Sequence, residues 1–385
     1  MELVITCIWA AAVAVLICRA IAQRQLLPDA RGNVSSPPPS DASVLVVVPA
    51  RNESLNIAAC IDGLSRQTYP RSRLFVRVID DHSSDDTWRI AHAVTSRHEG
   101  FCAFASPPLP PRWVGKSHAC WIGATQDIPQ SPEWICFIDA DVVAEPGLLA
   151  TAVKQAEARS LDLLSLTPKQ ILGTWTERLV LPCGLYCLAF CQDMKRLQSE
   201  QCEDTAVTGQ FLLVRAEAYF AIGGHRAVSS AICEDVALAR RLKRHGGRVA
   251  LLDGRELLSV RMYRNWAALS AGLAKNLVET FGGPVRTICT AIGPLLLAWA
   301  AFIVPLIDAS ACAQQAPFAC GAFGLALAAS AAAFGRHLTG ARFLGIPLWY
   351  GLLFPLGYSL GAWIAAQSLQ WWINGGIIWK DRVYR

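Results

Sequence analysis

Two aspartates spaced one residue apart, Asp139 and Asp141, directly follow the short apolar stretch Trp134 to Ile138. Two carboxylates at positions i and i+2 of a turn can share a hard divalent cation, because such cations prefer oxygen ligands and commonly bridge a diphosphate. An isolated pair of this kind is more often two solvated turn residues. Its position directly after an apolar stretch that reads as a buried strand favours a site for Mg²⁺ or Mn²⁺.

Two further polar groups also follow apolar stretches. Asp80 and Asp81 come after Leu74 to Ile79, and the segment Pro49-Ala50-Arg51-Asn52-Glu53 ends the stretch that starts at Ser43. A single acid would be enough to cap the helix that follows. Two adjacent acids therefore indicate hydrogen-bond acceptors for the N–H groups of a base or the hydroxyls of a ribose.

A third acidic pair, Glu234-Asp235, precedes a helical pattern over Val236 to His245. Acids at a helix N-terminus are favourable because of the helix dipole alone. The functional alternative is a general base for proton transfer. The residues themselves leave both interpretations open.

The elements that must position these groups alternate between strand and helix. Three short stretches rich in valine, leucine and isoleucine predict buried parallel strands. Helical spacing follows the first two of them, over Glu53 to Gln67 and Thr87 to Arg97. Such alternation predicts an open α/β sheet, which binds ligands outside the carboxyl ends of its strands. The polar groups that follow all three strands fall at that edge.

Charge is distributed unevenly along the 385 residues, of which 53% are hydrophobic and 17% charged. The mean hydropathy of +0.32 excludes a disordered chain and an ordinary fully soluble globule. Between Ile288 and Trp379 the only charged residues are Asp308, Arg336 and Arg342. This distribution predicts a soluble domain followed by a membrane domain.

Net charge and cysteine spacing argue against nucleic-acid binding and against a site or framework built from cysteines. A net charge of +5 from scattered Lys and Arg residues gives no case for nucleic-acid binding. The 14 cysteines contain no C-x-x-C pair. Reduced structural thiols are therefore favoured over a metal site or a disulfide framework.

The N-terminal apolar run, Leu3 to Cys18, predicts a membrane anchor over residues 1–22. A cleaved signal peptide is the alternative, but Glu2 precedes the run and no Lys or Arg does. Positive charge instead follows the run, at Arg19, Arg24 and Arg31. By the positive-inside rule the N-terminus lies outside and the next domain is cytoplasmic. A linker over 23–43, rich in Pro and Ser, should be extended.

Membrane segments are also predicted near the C-terminus. Ile288 to Ile307 and Pro317 to Phe334 each have the length and apolarity of a span. A third segment, Phe343 to Ala366, contains two prolines and either crosses the membrane, is re-entrant or lies along the interface. We expect a membrane domain over 288–385, preceded by an interfacial amphipathic segment over 261–287.

The ordered segments VVVPARNE, VIDDHSSDD, FIDADV, TGQFLLV and CEDVALARRLKRHG resemble the family 2 inverting glycosyltransferases, which have the nucleotide-diphospho-sugar (GT-A type) fold. The resemblance covers roughly Val44 to Asp253. With one N-terminal anchor and about three C-terminal membrane segments, the chain is similar to membrane enzymes that glycosylate lipids: ceramide glucosyltransferases and bacterial relatives associated with carotenoid and hopanoid lipids. The W-x-G-K element at Trp113 to Lys116 and the ending Trp379 to Arg382 are similar to that subgroup.

The resemblance implies roles for individual residues. Asp235 would be the general base with Glu234 as its neighbour, and Asp139 and Asp141 would hold Mg²⁺ or Mn²⁺, with Asp141 the more direct ligand. The donor nucleotide would be held by Pro49, Arg51, Glu53, Asp80, Asp81, Lys116 and Asp139.

The family often carries a (Q/R)-x-x-R-W motif after the base, on an interfacial helix that closes over the donor. Here the stretch from Arg261 to Trp266 has one extra residue before the tryptophan. By this resemblance Gln210, Arg261, Arg264 and Trp266 would close the site over donor and acceptor. An amphipathic interface helix with snorkelling arginines is the alternative.

Resemblance and chemistry together predict inverting transfer of a sugar from a UDP-linked nucleotide-sugar to a lipid hydroxyl. A glycosyltransferase domain over 44–260 would act at the cytoplasmic face of a bacterial inner membrane. A nucleoside diphosphate leaving group needs neutralisation, and a lipid hydroxyl needs a base. The alternatives are a polyprenyl-phosphate sugar transferase, a processive polysaccharide synthase, and a non-catalytic protein that binds nucleotide-sugars.

Overall fold

The computed structural model describes residues 2–24, 27–32, 41–126, 132–314, 318–379 and 382–384. About half of the predicted linker 23–43, namely residues 25, 26 and 33–40, and part of the Trp379 to Arg382 ending lie outside these ranges. The chain divides into two units. The α/β unit comprises Leu27–Ile171 and Met194–Met262, and the helical unit comprises Met1–Leu26, Leu172–Asp193 and Tyr263–Arg385.

Strands and helices alternate through the α/β unit, whereas helices dominate the helical unit. The strands are β1 Val44–Ala50, β2 Leu74–Asp80, β3 Phe101–Ala105, β4 Trp134–Ile138, β5 Val142–Ala144, β6 Leu163–Thr167, β7 Lys169–Gln170, β8 Phe211–Arg215, β9 Val249–Asp253, β10 Leu258–Val260, β11 Ile377–Trp379 and β12 Arg382–Tyr384. The helices are α1 Glu2–Arg24, α2 Ile57–Ser65, α3 Thr87–Thr95, α4 Gly115–Thr125, α5 Leu148–Ala158, α6 Trp175–Cys191, α7 Met194–Leu197, α8 Ala216–Ala221, α9 Glu234–Arg244, α10 Trp266–Ala274, α11 Leu277–Thr280, α12 Pro284–Ala313, α13 Ala319–Phe343 and α14 Phe354–Ile373.

A seven-stranded sheet forms the centre of the α/β unit, with strand order β3-β2-β1-β4-β8-β6-β9. β1 pairs in parallel with β2 and β4, while β8 runs antiparallel to β4 and β6. The predicted open α/β sheet is confirmed. The insertion of β8 between β4 and β6 brings the start of an antiparallel strand to the edge where β1, β2 and β4 end.

Both faces of this sheet are covered, as expected for strands that are apolar throughout. Alternate residues of β1 point to opposite sides. Val46 packs in one core with Ile57 of α2 and Leu148 of α5, and Val47 packs in the other with Ala119 of α4. Because helices close both faces, the edge at the carboxyl ends of the strands is the place left for polar side chains.

Within the described part of the helical unit, four helical segments are long and apolar enough to cross a membrane, over Leu3–Gln23, Pro284–Ala313, Ala319–Phe343 and Leu348–Ile373. This confirms the prediction of one N-terminal and three C-terminal segments. The last segment begins five residues later than predicted, directly after Pro347, and consists of a 3-10 helix, Leu348–Leu353, followed by α14. Pro355 stands in the first turn of α14, where its missing N–H needs no partner.

One helix of the helical unit was not predicted. α6 lies between two parts of the α/β unit in sequence, so the predicted domain 44–260 includes a segment that belongs to the helical unit. α14 approaches it closely at Gly357, where an added Cβ would lie 2.6 Å from the sulfur of Cys183. Small residues at such crossings are typical of membrane helix pairs.

The predicted interfacial segment 261–287 forms two short helices, α10 and α11, and then the first residues of α12.

The expectation of reduced thiols throughout was wrong for one pair, because Cys312 and Cys320 form a disulfide. These two residues flank the turn between α12 and α13, which brings their Cα atoms to 4.8 Å. Their spacing matches no sequence motif, so the pairing follows from the helical hairpin.

Candidate active site

The loops after β1 and β2 form one surface because they are hydrogen-bonded to each other. Arg51 donates from Nη1 to the backbone carbonyls of Asp81 and His82, at 2.6 Å and 2.9 Å. The backbone N–H of Glu53 donates to the Thr87 hydroxyl at 2.7 Å. Arg51 therefore shapes the loop that carries the predicted nucleotide acceptors. Pro49 lies within β1, in register with Ile79 of β2.

The two acids at the end of β2 differ in their surroundings. Asp80 accepts from the backbone N–H of Ser83 at 3.2 Å through Oδ2, while its buried Oδ1 has no hydrogen-bond partner among the described residues. The side chain of Asp81 is only 5% exposed, and its Oδ1 lies 3.4 Å from Nδ1 of His82. A buried carboxylate oxygen without a donor costs free energy. Asp80 thus has capacity for one further hydrogen bond.

Lys116 connects two of the predicted motifs. It lies in the first turn of α4, and its Nζ is 2.7 Å from Asp139 Oδ1 and 2.8 Å from Glu234 Oε1. Burial acts to lower the pKa of Lys116, but Asp139, Glu234 and Asp235 together raise it well above its usual range. The ammonium group therefore stays protonated. It holds Asp139, and with it the predicted metal motif Asp139-x-Asp141, beside the predicted base.

Glu234 and Asp235 occupy the first turn of α9, which begins two residues earlier than predicted. Burial acts to raise the pKa of Glu234, but the charge and hydrogen bond of Lys116 outweigh it, and the pKa is lowered. Burial and the charge of Glu234 raise the pKa of Asp235 to about 6, against the opposing effect of Lys116. One acid is thus a fixed anion, and the other titrates close to neutral pH.

Gly209, in the TGQFLLV segment, has no predicted role but lies between Lys116 and the predicted base Asp235. A Cβ added there would be 3.1 Å from Asp235 Oδ2 and 3.2 Å from Lys116 Nζ. The next residue, Gln210, accepts through its backbone carbonyl from the backbone N–H of Asp139 at 3.3 Å. The two residues just before β8 therefore set the spacing between the metal motif and Asp235. Only their place before a strand could have indicated this role.

Asp139 and Asp141 form a tight turn between β4 and β5, in which the N–H of Val142 donates to the carbonyl of Asp139 at 3.1 Å. Burial first, then the charges of Asp141, Asp139 and Glu53, raise the pKa of the Cys60 thiol. Three carboxylates thus act on one buried group, which places a concentrated negative potential at this end of the sheet.

This donor set fits a magnesium or manganese ion that is shared with a substrate. In the described ranges no cluster of three or more His, Cys, Asp or Glu side chains could hold a metal alone. Mg²⁺ is commonly held by one or two carboxylates, with substrate phosphates and water completing its shell. Lys116 engages Asp139, and the assignment of Asp141 as the more direct ligand remains a prediction.

The residues predicted to close the site fall in different units. Gln210 and Arg261 belong to the α/β unit, where Gln210 donates to the sulfur of Met262 at 3.6 Å. Arg264 and Trp266 belong to the helical unit. There, Trp266 begins α10, and its ring lies 5.5 Å from that of Trp363. Their joint role in closing the site therefore remains a prediction.

Comparisons with known proteins agree with this architecture. The most informative relative is the 4,4'-diaponeurosporenoate glycosyltransferase of Staphylococcus aureus strain USA300, which is 27% identical over 253 residues. The match covers 65% of this chain and 64% of that relative, so the chain spans less than two thirds of its length. The fold is similar to that of a solved structure, mannosyltransferase PcManGT of Pyrobaculum calidifontis in complex with GDP-Man and Mn²⁺. The two share 18% identity and a TM-score of 0.55, over 97% of this chain and 98% of the other.

The match to a protein family covers most of the α/β unit. Residues 38–275 fit the family described as Glycosyltransferase like family 2, and this range exceeds half of the chain. It includes β1, the Asp139-x-Asp141 turn, and the acidic first turn of α9. The resemblance found in the sequence is confirmed: the chain belongs to the glycosyltransferase-like family 2.

Proposed function

We propose that the protein transfers one sugar from a nucleotide-diphospho-sugar to a lipid hydroxyl, with inversion at the anomeric carbon. The observation that carries this proposal is the position of Asp235. Its pKa of about 6 suits a general base at neutral pH, and it lies in a network that includes the metal motif through Lys116. A solvated helix-terminal acid would not need this network.

The donor would bind along the carboxyl edge of β1, β2 and β4. Asp80 and Asp81 would accept hydrogen bonds from the base or ribose, and the buried Oδ1 of Asp80 supports this role. Arg51 and Glu53 would shape the nucleotide pocket through the loop contacts described above. The similar Pyrobaculum structure contains GDP-Man, so we consider both UDP and GDP as the nucleotide of the donor.

Asp141, with Asp139 beside it, would hold Mg²⁺ or Mn²⁺ against the diphosphate. The Mn²⁺ in the Pyrobaculum complex supports the choice of a hard divalent cation. When bound, the ion would neutralise charge on the leaving diphosphate as a Lewis acid. Lys116, held protonated between Asp139 and Glu234, would add a fixed positive charge at the same place.

The transfer step balances with a single carboxylate. The acceptor hydroxyl gives its proton to Asp235, its oxygen forms the new bond to the anomeric carbon, and the bond from that carbon to the diphosphate oxygen breaks. One displacement inverts the configuration. Glu234 is engaged by Lys116 at 2.8 Å, so it serves the base electrostatically rather than as a nucleophile.

A carboxylate acceptor is the second candidate. The staphylococcal relative is named for diaponeurosporenoate, a carboxylate, and such an acceptor is already ionised near pH 7. It would need no general base. A polyprenyl phosphate would behave in the same way, so the dependence of transfer on Asp235 separates a hydroxyl acceptor from both.

The helical unit supports a catalytic domain on the cytoplasmic side. The Thr6 hydroxyl, near the start of α1, donates to Asp308, near the end of α12, at 2.7 Å. The start of α1 and the end of α12 would therefore lie at the same depth in the membrane. The Cys312–Cys320 disulfide lies at that level too, and disulfides persist in oxidising compartments. Arg19 lies toward the opposite end of α1, as the positive-inside rule expects of a cytoplasmic end.

The proposal can be tested with the purified full-length protein in lipid vesicles that contain a bacterial lipid extract. UDP- and GDP-linked sugars would be supplied with Mg²⁺ or Mn²⁺, and the lipids analysed by mass spectrometry. We expect one hexose added to one lipid class, and its loss in Asp235→Asn but not in the exposed control Asp62→Asn. Long sugar polymers would indicate a processive synthase. Donor binding without any transfer would indicate a non-catalytic protein.

A further inference from the structure

Arg336 is a cation in a candidate membrane helix, and no carboxylate of the described residues pairs with it. It belongs to α13, one of the helices long enough to cross a membrane. Its guanidinium forms no ion pair with the described residues, and its buried Nε has no hydrogen-bond partner. Charged side chains in membrane segments normally pair, and an intramembrane cation is by default a candidate for a binding site.

The depth of Arg336 matches the level of lipid head groups. It lies 17 residues after the first residue of α13, which corresponds to about 25 Å along the helix axis. The hydrocarbon core of a bilayer is about 30 Å thick. Since α13 begins at the disulfide end of the helical unit, Arg336 lies close to the opposite membrane surface, where the polar groups of lipids are found.

The guanidinium is held in a defined orientation by α6. Its Cζ lies 4.6 Å from the centroid of the Tyr186 ring, and the Tyr186 hydroxyl donates to the backbone carbonyl of Arg336 at 3.2 Å. Gly340 makes this approach possible, because a Cβ at that position would overlap the Tyr186 hydroxyl. A snorkelling arginine on a lipid-facing surface would need none of these contacts.

Polar groups continue on the adjacent turn. Nδ1 of His337 lies 2.8 Å from the carbonyl of Ala333, and this contact requires that Nδ1 carries the hydrogen. In the neutral ring Nε2 is then an acceptor, and the Tyr358 hydroxyl donates to it at 3.4 Å. Phe354 stacks on the imidazole at 4.0 Å and keeps it in place. Arg336 is thus the one cation of a packed, hydrogen-bonded cluster.

We propose that Arg336, oriented by Tyr186, binds the anionic group of a lipid molecule. A guanidinium presents a planar fork that matches a phosphate or a carboxylate through two parallel hydrogen bonds. Both groups occur on lipids at this depth, the phosphate on phospholipids and the carboxylate on lipid acids. Arg336 and Tyr186 belong to the helical unit, and their binding of a lipid can be measured without any transfer reaction.

The test uses native mass spectrometry of the full-length protein in detergent, with one added lipid at a time. The probes are phosphatidylglycerol for the phosphate, oleate for the carboxylate, and dioleoylglycerol as a lipid without either anion. We expect the wild-type protein to retain one molecule of an anionic probe and none of dioleoylglycerol. Retention of phosphatidylglycerol alone or of oleate alone identifies the source of the anion. Equal retention of all three probes would overturn the proposal.

Arg342 provides the matched control, because it is an exposed arginine on the same helix. We expect Arg336→Gln to weaken binding of the retained probe at least about tenfold, and Arg342→Gln to leave it unchanged. Arg336→Lys keeps the charge but loses the fork, so it should bind more weakly than wild type even if Arg336→Gln fails to fold. Equal effects at positions 336 and 342, or wild-type binding by both Arg336 variants, would contradict the proposal.

Discussion

The dependence of transfer on pH should report the ionisation of Asp235. With a pKa of about 6, roughly 90% of this carboxylate is ionised at pH 7 and roughly 10% at pH 5. Because only the anion accepts a proton, kcat/KM should fall about tenfold between these two values. An ordinary aspartate has a pKa of 3.8, and with that value almost no loss would occur.

The substitution Glu234→Gln tests the cause of this raised pKa. Burial is the first cause and the charge of Glu234 the second, so removing that charge should lower the pKa into the interval between 3.8 and about 6. Lys116, no longer balanced by Glu234, acts in the same direction. The acid limb of kcat/KM should therefore move to lower pH, whatever happens to the maximal rate.

The measurement is kcat/KM for the acceptor from pH 4.5 to 8, at saturating donor and metal. Glu203→Gln is the matched control, because its side chain is 72% exposed and paired with Arg244. Its profile should coincide with that of the wild type. If kcat/KM of the wild type falls only near pH 4, or if it still falls near pH 6 in Glu234→Gln, the attribution of this fall to Asp235 and Glu234 is refuted.

Three further outcomes are expected. Gly209→Ala should reduce the single-turnover rate by at least about tenfold with little change in donor affinity, since its Cβ would press on Asp235 and Lys116. An unchanged single-turnover rate would show that the space beside Gly209 is not needed for transfer. Asp141→Asn should weaken the activation of transfer by Mn²⁺, seen as a higher half-saturating metal concentration, and EDTA should abolish wild-type transfer. The double substitution of Cys312 and Cys320 by serine should lower the melting temperature of the oxidised protein only, because it removes the crosslink between α12 and α13. Equal melting temperatures under oxidising conditions would argue against the disulfide.

The sheet and its ligand-binding edge could be predicted because the signals are local. Continuous apolar runs identify buried parallel strands, and the residues after each run must lie at the carboxyl end. The strand Trp134–Ile138 has the predicted bounds, and the strand that starts at Leu74 extends only one residue further. Asp80-Asp81 and Asp139-x-Asp141 therefore lie at the carboxyl ends of their strands, as their positions in the sequence predict.

Features that depend on contacts distant in sequence could not be predicted. α6 packs with candidate membrane helices that lie more than one hundred residues away, and no local pattern separates it from the α/β unit. Lys116 bridges Asp139 and Glu234, and neither pairing follows from spacing. The role of Gly209 depends on how close two other side chains lie. The Cys312–Cys320 pair likewise depends on the turn between α12 and α13.

The central claim is that Asp235 removes the proton of the acceptor, and single-turnover transfer by Asp235→Asn tests it most directly. The amide keeps the shape of the side chain but cannot act as the base, and general-base catalysis typically contributes about 10² to 10⁴ in rate. With donor affinity measured separately by titration, we expect a rate lower by that factor and donor binding close to that of the wild type. Normal single-turnover transfer by Asp235→Asn would contradict the assignment and indicate an acceptor that is already ionised.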